Sequence, residues 1–85
     1  MSYSLKIKAS AAKALRRIDK PERLRLIAAI DRLAQEPTAG GVLKGEFSGL
    51  RRLRVGDYRI IYEVIYNELT VLVVRIGHRR EVYSR

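Results

Sequence analysis

The segment from Gly49 to Arg59 reads G-L-R-R-L-R-V-G-D-Y-R and permits few folds. It carries four arginines and one aspartate in eleven residues, interleaved with Leu50, Leu53 and Val55. A strand sends alternate side chains to opposite faces, so Leu53 and Val55 point one way while Arg52 and Arg54 point the other. Gly56-Asp57 then supplies a two-residue turn, and glycine at the first central position suits type II′. That turn sets Val55 opposite Tyr58 and Arg54 opposite Arg59. Arg52, Arg54 and Arg59 therefore share one face of a sheet, with apolar residues behind them. Like charges opposed in a ladder are destabilising. A chain that keeps them is expected to gain something else, namely an anion.

Charge supports that expectation. The formal net charge is +9, which calls for a polyanionic partner: nucleic acid, an acidic protein or an anionic surface. Residues 1–41 hold four Lys and five Arg, whereas residues 42–85 hold one Lys and eight Arg. Arginine grips phosphate bidentately and stacks on bases, while lysine acts as a point charge. The second half is thus where a phosphate site belongs. With no cysteine there is neither a disulfide framework nor a thiolate, and a single histidine argues against a zinc site. No cofactor is expected. No run of about 18 apolar residues exists and the start has no signal-peptide core, so the reading is a soluble, cytoplasmic protein without membrane contact.

The 85 residues suffice for one domain. Ser2 to Lys8 alternates Tyr3, Leu5 and Ile7 with Ser4, Lys6 and Lys8, the pattern of a half-buried strand. Ser10 can cap a helix over 11–18. Asp19-Lys20-Pro21 is a break, with Pro21 placed to open a second helix that Pro37 ends near Gln35. Leu24, Ile27, Ala28, Leu33 and Ala34 form its stripe, widened by Leu26 and Ile30. Thr38 to Gly41 is a loop, Val42 to Gly45 leads on, and Phe47 anchors the approach to the hairpin. Strands follow over 50–55, 58–65 and 69–76. The last is apolar on both faces except for Arg75, which suits an interior strand. Whether Arg75 joins the arginine face depends on a register that the sequence leaves open. The tail, residues 77–85, leaves the sheet at Gly77. The order β-α-α-β-β-β makes an α+β domain, a helical hairpin on an antiparallel sheet with a short C-terminal tail.

Chemistry at a phosphate needs a base for the nucleophile, an acid for the leaving oxygen and neutralisation of charge building on phosphorus oxygens. Guanidiniums supply the last and cannot be the base, because they stay protonated. Candidates for the base are His78, Tyr83, Glu46, Glu63 and Glu81. Nearby guanidiniums would favour the Tyr83 phenolate and lower its pKa. Lys44, Arg51, Arg54, Arg75 and Arg80 are candidate contacts to a nucleic-acid backbone.

L-K-G, then R-L-R-V-G-D-Y-R-I-I-Y-E-V, then V-V-R-I-G-H-R-R-E-V-Y resembles the RelE/ParE superfamily of bacterial toxins over nearly the whole chain. The resemblance implies a RelE-like fold, a cognate acidic antitoxin and a toxin–antitoxin hetero-oligomer. In the RelE-like branch the target is messenger RNA in the ribosomal A site, cut by attack of a 2′-hydroxyl on its own 3′-phosphate without a metal. In the ParE-like alternative it is DNA gyrase, and the nuclease residues are generally missing. By resemblance, Arg59 matches the transition-state arginine, Arg79 a second catalytic arginine at the leaving group, and Tyr83 the tyrosine that contacts the attacking hydroxyl. Arg52 takes a position that is lysine in familiar members, and the other such lysine falls on Leu50. Arginine cannot shuttle a proton as lysine can, and His78 is the residue that would fill that gap.

Overall fold

The computed structural model describes residues 2–78. Strand β1 (Ser4–Ile7) is followed by helices α1 (Ala9–Arg16) and α2 (Lys20–Leu33), and strands β2 (Gly41–Val42), β3 (Arg51–Val55), β4 (Tyr58–Ile65) and β5 (Thr70–His78) complete one sheet. Short 3₁₀ turns at Gly45–Phe47 and Tyr66–Glu68 precede β3 and β5.

The helices begin where the backbone lets them. The chain passes from β1 into α1 without a loop, so Ser10 lies inside the helix and Lys8 takes the cap position. Lys8 stays extended at φ −58 and ψ 142. Its N–H donates to Val73 O (2.9 Å), while its own carbonyl accepts from Ala12 N (2.9 Å). These two bonds tie the end of β1 to β5 and close the first helical turn, while the cap residue offers no side-chain oxygen to the remaining first-turn N–H groups. Helix α2 starts at Lys20, one residue before the proline expected to open it, with Asp19 at the cap.

The apolar stripe of α2 differs in phase from the expectation. Leu26, Ile30 and Leu33 are buried at i, i+4 and i+7, whereas Leu24 is 53% exposed and Ile27 39%. Leu24 lies roughly 160° around the helix from Leu26, at 3.6 residues per turn. The two leucines cannot both face the sheet, and the three-residue set wins because it is continuous along one face.

The strand order is β1-β5-β4-β3-β2. Three pairs are antiparallel, but β1 runs parallel to β5, so the sheet is mixed rather than wholly antiparallel. The two-helix crossover carries the chain back across the sheet and frees β1 to pair with the last strand. Strand β5 is then flanked on both sides, as its apolar composition implied. It also runs through Gly77 to His78, two residues beyond the expected end.

Ala11, Leu15, Ile18, Leu26, Ile30 and Leu33 of the helical layer pack on Ile60, Tyr62, Val71, Val73 and Ile76 of the sheet. Leu53, Val55 and Tyr58 extend this layer toward the hairpin.

One irregularity decides what the other face carries. Tyr62 pairs with Val73, and Ile61 with Arg75, so Val74 is an extra residue in β5. Without that bulge, Arg75 would fall opposite Ile60 in the core. With it, Val73 and Ile76 both face the helices and Arg75 turns to the open face.

Tyr62 is fully buried and ties down the loop after α2. Its hydroxyl accepts from Gly40 N (2.9 Å) and donates to Pro37 O (2.8 Å). Arg51 reinforces this knot: its Nη1 donates to Gly40 O at 2.7 Å and to Thr38 O at 3.5 Å. The tied loop delivers Gly41 opposite Arg52 and Val42 opposite Arg51, which is all of β2.

Candidate functional site

The hairpin register is the one the arginine spacing demands. Val55 pairs with Tyr58 and Arg54 with Arg59. Gly56 has φ +60, and Asp57 is not among the residues of positive φ, as type II′ requires. Arg52 pairs with Ile61 and Ile61 with Arg75 across β3, β4 and β5, and one step along Arg54 pairs with Arg59 and Arg59 with Gly77. The two rows lie roughly 7 Å apart, two residues along a strand. Four guanidiniums thus surround Ile61, which is only 2% exposed. Arg52 and Arg59 are half-buried, Arg54 and Arg75 exposed. Gly77 gives the face no side chain beside Arg59.

This face can neutralise a phosphate and orient it through paired N–H donors. It also carries Glu63, half-buried and opposite Leu72, with Lys6 beyond on β1. Of the carboxylates proposed as base that lie among the described residues, Glu63 is the one the sheet places on the arginine face. Glu46 sits in the 3₁₀ turn at Gly45–Phe47, next to exposed Lys44.

Two candidates point elsewhere. Arg51 lies on the helix side, where its guanidinium serves the Gly40 carbonyl. His78 also faces the helices, because it pairs with Tyr58 rather than Arg59. The two rings meet edge to face, centroids 6.0 Å apart. The expectation that His78 fills the role of a missing lysine therefore does not follow from this geometry. Leu50, where that lysine was expected, stands just before β3: its carbonyl accepts from Leu43 N (2.9 Å) and its N–H donates to Phe47 O (3.1 Å).

Arg79, Arg80, Glu81 and Tyr83 lie outside the described residues. The placement of Arg75 escaped the sequence because nothing in V-L-V-V-R announces a bulge. The hydroxyl of Tyr62 escaped it too, since a tyrosine in an apolar strand reads as packing alone. Among the described residues, no three His, Asp or Glu side chains gather to hold a metal ion, and no helix is long and apolar enough to cross a membrane.

Residues 5–83 match the family model described as ParE toxin of type II toxin–antitoxin system, parDE. The chain belongs to this family. It is 35% identical over 54 residues to Toxin RelG of Mycobacterium tuberculosis, and spans 62% of that curated relative's length. The fold matches the toxin–antitoxin complex RelBE2 of Mycobacterium tuberculosis with a TM-score of 0.87 at 25% identity, covering 93% of this chain and 100% of that one. It also matches the archaeal RelE–RelB complex of Pyrococcus horikoshii with a TM-score of 0.79 at 32% identity, covering 96% and 100%. The RelE-like α+β architecture is thus shared along nearly the whole chain.

Proposed function

We propose that this chain is a toxin that cleaves messenger RNA on the ribosome, by attack of a 2′-hydroxyl on the adjacent 3′-phosphate. The observation that supports this most is the array of Arg52, Arg54, Arg59 and Arg75 around Ile61 on the open face of the sheet. Arg59 contacts the non-bridging oxygens, where charge builds as the 2′-oxygen adds to phosphorus. Arg52, Arg54 and Arg75 hold the flanking backbone, and Lys44 and Arg80 are further candidate contacts to it. By resemblance, Tyr83 contacts the attacking hydroxyl and Arg79 serves the leaving 5′-oxygen. The 2′-proton passes to a base, the P–O5′ bond breaks, and the 5′-oxygen takes up a proton. A 2′,3′-cyclic phosphate and a 5′-hydroxyl result, with no metal required.

A face built to neutralise charge but poor in groups that move protons depends on a substrate held in place for it. Little cleavage of naked RNA is expected, and the ribosome is the partner that would do the holding. A cognate acidic antitoxin is the second partner, supported by the charge of +9 and by relatives solved in complex with RelB. Mapping transcript 5′ ends after induction in growing cells tests the reading. New 5′-hydroxyl ends inside translated codons are expected, and intact transcripts under growth arrest would refute it. The family model's ParE description favours a second reading, a gyrase poison. That reading requires accumulated gyrase–DNA breaks with messages unharmed.

The arginine face makes a separate prediction for binding. Single-stranded RNA binding should weaken with salt, and each lost phosphate contact should lower the log–log slope by about 0.7. Arg54→Ala should reduce the slope by that amount. Arg51→Ala should leave it unchanged, because its guanidinium is engaged on the opposite side of the sheet. Equal slopes for the wild type and Arg54→Ala, measured by fluorescence anisotropy, would remove Arg54 from the interface.

A further inference from the structure

A cavity of about 480 Å³ opens on the helix side of the sheet, at the end where β4 begins and β5 finishes. Ile18 and Ile76, 9% and 5% exposed, form its floor. Tyr58 and His78 give it two aromatic walls nearly at right angles, at 81°. Arg17 and Asp19 stand on its rim, both exposed. Asp19 occupies the cap position of α2, yet its carboxylate makes no capping hydrogen bond. Among the described residues, neither it nor the Arg17 guanidinium enters an ion pair, with each other or with any other group.

A carboxylate and a guanidinium, both unengaged, over an apolar floor and beside two ring faces fit a flat heterocycle with donors on one edge and acceptors on another. Guanine has that pattern. Its N1–H and N2–H₂ donors suit a carboxylate, while its O6 and N7 suit a guanidinium. Adenine offers only the N6 amino donor at the corresponding edge. Aromatic walls add stacking, as in single-stranded nucleic-acid sites generally.

We propose that this cavity is a guanine-binding site. Its position gives it a use. Tyr58 and Arg59 are consecutive and face opposite sides, and they open β4 at the rim where the two faces of the sheet meet. A nucleotide whose phosphate lies against Arg59 can fold its base around that rim into the cavity. That use rests on the ribonuclease reading, whereas the binding itself does not.

The test is NMR titration of the whole protein with guanosine and adenosine monophosphates, which differ only in the base. GMP should shift the ring signals of Tyr58 and His78 and bind about tenfold more tightly than AMP, the discrimination typical of one bidentate base contact. Asp19→Asn should lower GMP affinity to that of AMP. Asparagine caps a helix as well as aspartate does, so α2 should remain intact, as its amide spectrum will show. Equal affinities for the two nucleotides, or shifts confined to Arg52, Arg54 and Arg59, would overturn the site. GMP selectivity in a protein that leaves transcripts intact would uphold the site and refute the nuclease reading. Cleaved transcripts without GMP binding would do the reverse.

Discussion

Arg59→Ala is expected to cut transcript cleavage in a translation extract by about 10²–10³-fold, the effect of removing one donor aimed at developing oxyanion charge. The same change should not weaken the fold. Arg59 faces Arg54 directly across the ladder, and its only side-chain hydrogen bond among the described residues is a 3.3 Å contact to the carbonyl of Tyr58. Relieving the like-charge pair should stabilise the protein by a few tenths of a kcal/mol. In a domain this small that is a rise of one to a few degrees in the melting midpoint. Opposite signs for activity and stability would mark Arg59 as a residue kept for its ligand. Arg59→Lys sharpens the test: it retains the charge but loses the planar fork, so cleavage should fall between wild type and Arg59→Ala. Full cleavage by Arg59→Ala would remove the phosphate from this face. A lower melting midpoint would show that the opposed arginines do not strain the hairpin.

The hairpin was legible because its determinants are local. Gly56-Asp57 sets the turn, the turn sets the register, and the register puts Arg54 opposite Arg59. The reach of the arginine face into β5 was not legible, because it hangs on Val74, one surplus residue in a run of aliphatic side chains. The same slip turns His78 toward Tyr58 and away from the arginines, so the residue expected to supply a proton acceptor opens instead onto a cavity on the other side. Partner choice is similarly non-local. Nothing within S-L-K-I says that β1 will run parallel to a strand more than sixty residues later; the crossover through two helices decides it. In α2 the residues for two stripes are present, and only packing on Ile60 and Val73 selects Leu26, Ile30 and Leu33 over Leu24 and Ile27. The predicted Ser10 cap failed for a related reason: pairing with β5 holds Lys8 extended, so the helix starts at Ala9 and Ser10 falls inside it.

The loop held by Tyr62 should be the most sensitive point of the fold outside the helical core. A Cβ on Gly40 would stand 2.6 Å from the carbonyl oxygen of Arg52 and 2.8 Å from the hydroxyl of Tyr62. The first of these is backbone in a paired strand and cannot swing aside, so Gly40→Ala should cost about 1–3 kcal/mol through overpacking and detach β2. Tyr62→Phe keeps the ring and removes both hydroxyl bonds. The N–H of buried Gly40 then has no partner, whereas the half-buried Pro37 carbonyl can still meet water. The expected loss is about 1–3 kcal/mol, read as a lower urea midpoint at neutral pH. Alkaline pH gives an independent check. Burial raises the Tyr62 pKa above its ordinary value of 10.0, against the opposing pull of the Gly40 N–H and the Arg51 charge. The unfolded chain therefore releases this proton first, and the folded form loses stability as pH climbs past about 10. Tyr62→Phe removes that contribution, so the gap between the two proteins should narrow in urea titrations run above pH 10. A gap that stays constant with pH would mean that the hydroxyl is not held in the buried knot described for it. Because Gly40 leads directly to the segment paired with Arg52, both variants should also weaken RNA binding in proportion to the loss of β2, which links the buried phenol to the exposed arginine face through two residues of backbone.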